Sequence, residues 1–122
     1  MALDKVSVIG LGYIGLPTAA IIASSGLTVI GVEVDQDAIE TINAGKIHIV
    51  EPNLDTVVRS VVSTGHLRAV AKAEPADVFI VAVPTPFIHS DDGSHQPDIS
   101  YIESTTKTIA PVLKKGNLVI LE

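Results

Sequence analysis

The chain has 122 residues, of which 47% are hydrophobic and only 3% aromatic, and its 14 acids outnumber 8 bases for a net charge of −6. That length holds one core, and the acidic balance without a Lys/Arg run argues against a nucleic-acid partner. The absence of cysteine removes disulfides, thiolate zinc sites and a thiol nucleophile from this chain.

The N-terminus runs straight into a strand pattern, so no signal peptide is expected. No stretch approaches the ~18 consecutive apolar residues of a membrane span. A cytoplasmic protein with no membrane partner is the expectation. Lys5–Ile9 reads as the first strand and Tyr13–Ser25 as a helix stopped by Gly26. Thr28–Val34, rich in β-branched residues, is the second strand. Asp37–Ala44 reads as a helix ended by Gly45, and Lys46–Val50 as irregular or a short extended piece. Pro52–Ser63 is a third helix, with Pro52 in its first turn and Gly65 as its stop. Leu67–Ala71 and Val78–Val83 are the third and fourth strands, joined by a link at Lys72–Asp77 with room for at most one helical turn. Pro84–Pro97 reads as a polar loop with three prolines. A helix follows over Ser100–Leu113, with Ser100 and Glu103 as a capping box and Asp98 as a rival cap. Leu118–Leu121 is the fifth strand.

Strands and helices in alternation predict an α/β fold: a single-domain, Rossmann-type, doubly wound parallel sheet. Right-handed crossovers then give the strand order 3-2-1-4-5.

Gly10-Leu11-Gly12-Tyr13-Ile14-Gly15 is a G-x-G-x-x-G sequence placed between the first strand and the first helix. Gly10 permits the sharp exit from the strand. Gly12, without a Cβ, lets a pyrophosphate approach the backbone, and Gly15 lets helix and strand lie close. The helix start offers unpaired N–H groups and a positive dipole end to phosphate. Pro17 strains a helix that begins at Tyr13, because it removes an early helical bond.

Glu33 lies 18 residues after Gly15 (33 − 15), close to the ~20 expected for an acid that accepts the hydroxyls of a dinucleotide ribose. Such a carboxylate repels a 2′-phosphate, so NAD is expected rather than NADP. Asp35, on the same strand face, is the second candidate, and a cap for the next helix is its plainer role. Thr85, in Val83-Pro84-Thr85-Pro86, sits where the fourth strand meets the switch-point crevice. There it either contacts the cofactor or stands in a rigid turn. His48, His66, His89 and His95 are scattered. His89, Asp91, Asp92 and His95 match no zinc or calcium spacing, so no metal is expected.

Several segments carry a family resemblance: Val6–Pro17 with its glycine turn, Asn43-Ala44-Gly45, Glu51-Pro52-Asn53-Leu54, Ala82–Pro86 and Val119–Glu122. As a set they resemble the N-terminal domain of the UDP-glucose/GDP-mannose dehydrogenase family. Ile47–Pro52 and Ala110–Gly116 resemble the branch that oxidises UDP-N-acetyl-D-mannosamine. The resemblance implies two successive NAD-dependent oxidations of the sugar C6 alcohol to a carboxylate, for surface polysaccharide synthesis. It implies that Gly10, Gly12, Tyr13, Ile14 and Gly15 hold the NAD phosphates, that Glu33 holds the adenosine ribose, and that Thr85 touches the cofactor. The family usually has Asp where Glu33 stands, and the added methylene should push the ribose outward or make the carboxylate fold back. The family's nucleophilic cysteine and its lysine partner lie in a later domain. The reading is therefore a truncated chain, lacking the central and UDP-sugar-binding domains, that binds NAD without turnover and self-associates into a homo-oligomer through the uncovered face. A stand-alone NAD-sensing domain, or an enzyme for UDP-glucose or GDP-mannose, are the competing readings.

Overall fold

A computed structural model describes residues 4–84, 87–89, 95–97 and 99–122. Five parallel strands, β1 (Lys5–Ile9), β2 (Thr28–Val32), β3 (Leu67–Val70), β4 (Val78–Val81) and β7 (Leu118–Leu121), form a sheet in the spatial order β3-β2-β1-β4-β7. This is the expected 3-2-1-4-5 order, with a small hairpin taking the fifth and sixth places along the chain. Helices α1 (Gly15–Ser24), α2 (Gln36–Asn43) and α3 (Leu54–Ser63) are associated with one face, and α4 (Ser100–Ile109) with the other.

Alternation along the strands sorts their residues between two cores. Val6, Val8, Val29, Val78 and Ile80 pack with Leu16, Ala19, Ala20 and Ala23 of α1 and with Val58 and Val61 of α3. Ile9, Val32, Phe79 and Val81 pack with Ile109 of α4. The alanines of α1 let the helix lie close to the sheet. All four residues of β7 are exposed, from Ile120 at 40% to Leu121 at 65%.

Several boundaries move for identifiable reasons. α1 starts at Gly15 rather than Tyr13, which makes Pro17 its third residue. A missing N–H costs nothing there, since first-turn donors lack helical acceptors anyway. β2 stops at Val32, two residues early, because the backbone N–H groups of Val34 and Asp35 bond to the Glu33 side chain. α3 starts at Leu54 because Asn53 takes a left-handed conformation (φ 65°), leaving Pro52 in the preceding turn. α4 gives way at Ala110–Val112 to a 3₁₀ turn, where Pro111 removes a helical donor. The N-cap of α4 is Ile99, so Ser100 is the first helical residue and the expected box with Glu103 is out of register by one. Asp98 lies outside the described residues.

The expected loop from Pro84 to Pro97 instead contains two short strands, β5 (Phe87–His89) and β6 (His95–Pro97), paired antiparallel with Phe87 opposite Pro97 and His89 opposite His95. Proline, which lacks a donor, occupies the end of this ladder rather than its middle. The Lys72–Asp77 link has no helix. Both the Asp4 and Lys5 N–H groups donate to Asp77 Oδ2 at 3.0 Å, closing the turn against the start of β1. These two bonds hold the Asp77 carboxyl below its ordinary range.

Candidate functional site

Where the carboxyl ends of β1, β2, β4 and β7 meet, a cavity of about 640 Å³ opens between the glycine turn and α4. Gly10, Gly12, Tyr13 and Ile14 line it on one side, Glu33 at the end of β2, and Glu122 at the end of β7. Strand order reverses between β1 and β4, and this is the crevice that doubly wound sheets use for ligands.

The three glycines are required for different reasons. Gly10 stands at φ +95°, and a Cβ there would lie 2.8 Å from the Ala82 carbonyl oxygen. A Cβ on Gly15 would run into the Gly10 carbonyl oxygen. Both residues are thus demanded by the packing of turn, helix and β4. Gly12 is not: its φ lies outside the left-handed region, and a Cβ there would meet nothing within 4 Å. The chain itself gives no reason for glycine at this position. A ligand lying against the main chain does, and this is the fit expected of a dinucleotide phosphate cradle.

The turn is tied to β2 through Glu33. Its Oε1 accepts the Leu11 N–H at 3.2 Å, while Oε2 accepts the N–H of Val34 at 2.8 Å and of Asp35 at 3.0 Å. The carboxylate therefore folds back over its own backbone, as the longer side chain permits, while still bordering the crevice. Asp35 is engaged elsewhere: its Oδ1 accepts the Asp37 N–H at 3.0 Å as the N-cap of α2. Tyr13 and Ile14 are 61% and 59% exposed, apolar surface turned toward open space beside the glycine turn. Thr85 lies outside the described residues.

Sequence reasoning missed three features. The first is Leu11, wholly buried, whose side chain occupies the space a Cβ on Gly31 would take, at 2.6 Å. A glycine inside the β-branched run of β2 was the available signal. The second is the wall formed by Tyr101, Ser104, Thr105 and Thr108 of α4. Their i, i+3, i+4, i+7 spacing marks one helical face, of which Thr105 is buried while Tyr101, Ser104 and Thr108 are exposed beside the cavity. Thr105 and Thr108 satisfy their hydroxyls on the Tyr101 and Ser104 carbonyls, each at 2.9 Å, and so leave a smooth surface. The third is the hydrogen bonding of the Thr18 hydroxyl of α1 to the carboxylate of Glu122.

Of the histidines, His48 is exposed, and His66 Nδ1 lies 2.9 Å from the Thr64 hydroxyl, far from the glycine turn in the chain. Among the described residues no group of three or more His, Asp or Glu side chains gathers to hold a metal ion. Asp91 and Asp92 lie outside the described residues. Among the described residues no helix is long and apolar enough to cross a membrane.

Residues 4–122 match the profile of the UDP-glucose/GDP-mannose dehydrogenase family, NAD binding domain. The chain is 60% identical over 122 residues to the UDP-N-acetyl-D-mannosamine dehydrogenase of Yersinia pestis, covering 100% of itself and 28% of that protein. It is 59% identical over 117 residues to the NDP-N-acetyl-D-galactosaminuronic acid dehydrogenase of Ralstonia nicotianae, covering 96% of itself and 27% of that protein. Among solved structures, the UDP-N-acetyl-mannosamine dehydrogenase of Staphylococcus aureus superposes with a TM-score of 0.91 at 44% identity, over 98% of this chain and 28% of that one. The chain thus spans a little over a quarter of the length of these relatives.

Proposed function

Because the chain belongs to the UDP-glucose/GDP-mannose dehydrogenase family, as its NAD-binding domain, we propose that it is the cofactor-holding portion of an NAD-dependent UDP-N-acetyl-D-mannosamine 6-dehydrogenase. That enzyme oxidises the sugar C6 alcohol to a carboxylate for surface polysaccharide synthesis in the cytoplasm. The observation that carries the reading is Gly12: a glycine with open space before it and no internal cause, at the start of a helix, in the switch-point crevice.

In this reading the turn from Gly10 to Gly15 lays bare backbone and the amino end of α1 against the diphosphate. Glycine at 10 and 15 shapes the turn, and Gly12 makes the approach. Tyr13 and Ile14 flank the phosphates, and a cofactor contact for Thr85 is carried by the family resemblance of Val83-Pro84-Thr85-Pro86 alone. Glu33, held by three backbone N–H groups, presents its carboxylate to the adenosine ribose and repels a 2′-phosphate. Bound NAD supplies the hydride acceptor. The central and UDP-sugar-binding domains lie in the remainder of a longer protein. This chain alone binds cofactor without turning over substrate, since hydride transfer requires the sugar to be held against the cofactor. The exposed apolar residues of β7, Leu118–Leu121, support self-association into a homo-oligomer.

The near-equal likeness to a galactosaminuronic acid dehydrogenase supports a second reading that differs only in the sugar. Calorimetric titration tests the cofactor assignment. Wild type should bind NAD in preference to NADP, and Glu33→Ala should weaken NAD and narrow that preference. An unchanged preference removes the ribose role from Glu33. Assay of the full-length enzyme with UDP-N-acetyl-D-mannosamine, UDP-N-acetyl-D-galactosamine and UDP-glucose decides the sugar.

A further inference from the structure

The two edges of the sheet are finished differently. At the β3 edge, Val29 and Glu33 donate to the His66 and Val70 carbonyls, so alternation turns the N–H and C=O of Ala69 away from β2. Asn43 of α2 meets them there. Its Oδ1 accepts the Ala69 N–H at 2.8 Å, and its Nδ2 donates to the Ala69 carbonyl at 2.9 Å. A side-chain amide thus stands where a further strand would bond. Arg68, paired with Glu74, adds charge to the same strand. Covered and charged edges resist strand addition.

β7 has neither device. The N–H groups of Leu118 and Glu122 donate to the Asp77 and Val81 carbonyls on the β4 side, at 3.1 and 2.9 Å. The N–H and C=O groups of Val119 and Leu121 therefore point outward. Among the described residues no strand pairs with them. The side chains from Leu118 to Leu121 are apolar and exposed on both faces. Such an edge is a template for another strand. Charge at its two ends says which strand fits. Lys114 and Lys115 are exposed in the turn that leads into β7, where Asn117 Oδ1 accepts the Lys114 N–H at 2.8 Å, and Glu122 stands at the far end. Two copies of β7 laid antiparallel bring each Glu122 toward the lysine turn of the other copy. Laid parallel, they set like charges together.

We infer that the outer edge of β7 docks on the same edge of a second copy of this chain, antiparallel, with Ile120 on the two-fold axis. This rests on the homo-oligomer reading given above and assigns its surface and register. Val119 then lies opposite Leu121 of the second copy and exchanges both backbone bonds with it, and Leu121 does the same with Val119. All the outward groups are satisfied. Ile120 meets Ile120 of the second copy, and the pairing closes at two chains.

Sedimentation velocity on wild type, Val119→Pro, Ile120→Lys and Ile120→Glu tests this from micromolar to millimolar concentration, with thermal melting as the check on folding. Wild type should pass from monomer to dimer as concentration rises. Val119→Pro removes an outward donor, leaves the ladder to β4 intact, and should stay monomeric. Ile120→Lys and Ile120→Glu each set like charges face to face, and each should weaken dimerisation about fivefold or more. Mixed in equal amounts, they should recover the dimer, because only this register puts residue 120 opposite itself. Dimers that survive these changes, or Ile120 variants that each weaken but fail to recover when mixed, overturn the β7 pairing while self-association stands. Wild type that is monomeric throughout overturns the homo-oligomer reading and this inference with it, and leaves the edge to a strand of other origin. Species that keep growing beyond the dimer overturn the closed pairing. If Val119→Pro does not fold, the mixture of Ile120 variants alone decides.

Discussion

Gly12 and Gly15 stand three residues apart in one motif, yet the structure predicts opposite consequences for replacing them. At Gly12 a Cβ meets nothing within 4 Å and the backbone is not left-handed. Gly12→Ala should therefore fold normally. By restricting the unfolded chain, it should stabilise the domain by about 0.4–1 kcal/mol, a rise of a few degrees in melting temperature for a domain of this size. NAD affinity should nevertheless fall by more than about tenfold, and Gly12→Val should abolish it, because the side chain fills the space the diphosphate needs. At Gly15 the added Cβ collides with the Gly10 carbonyl oxygen and sits 3.2 Å from Ala82 Cβ. That obstacle is backbone, so the turn must open, at a cost of about 1–3 kcal/mol or more. Melting followed by circular dichroism, with NAD calorimetry on the same samples, reads both effects. If Gly12→Ala is as unstable as Gly15→Ala, the space before Gly12 is not free. If Gly12→Val binds NAD like wild type, the turn is not the phosphate cradle.

Gly31→Val should cost about 1–3 kcal/mol in chemical denaturation, since its Cβ would lie 2.6 Å from a Leu11 side chain that is wholly buried. Asp35→Ala should lower stability by about 0.5–2 kcal/mol through loss of the α2 cap. It should leave the NAD over NADP preference unaltered in calorimetry; a changed preference would transfer the ribose role from Glu33 to Asp35. Asp77 has its pKa held below the ordinary 3.8 by two N–H donors, so the stability it contributes is present above that value and fades as pH falls through the lower, folded value. Asp77→Ala should accordingly melt lower than wild type near neutrality, with the gap closing under acid; a gap constant across pH would contradict this.

Most of the fold was legible in the chain because each element carries its own local signal. β-branched runs marked β1, β2, β4 and β7, and the G-x-G-x-x-G turn announced the first crossover. Alternation of strands and helices, with right-handed connections, leaves few other sheet orders. The hairpin of β5 and β6 was not legible, because three-residue strands between prolines have too few positions to show a period. The acid pair was ambiguous for a similar reason. Glu33 and Asp35 share a strand face if the second strand runs to Val34 or beyond, and only the fold, which ends β2 at Val32, sends one to the Leu11 N–H and the other to the amino end of α2.

Local propensity and periodicity act over a few residues, and they determined the five strands of the parallel sheet, the helices, the sheet order and the place of the glycine turn. What joins residues far apart in the chain depended on packing. The fit of Leu11 over Gly31, the α4 wall opposite the glycine turn and the Thr18–Glu122 contact across 104 positions exist only once the sheet has brought those segments together. Side-chain contacts of that kind have no repeating pattern along the sequence, so tertiary structure alone decided them.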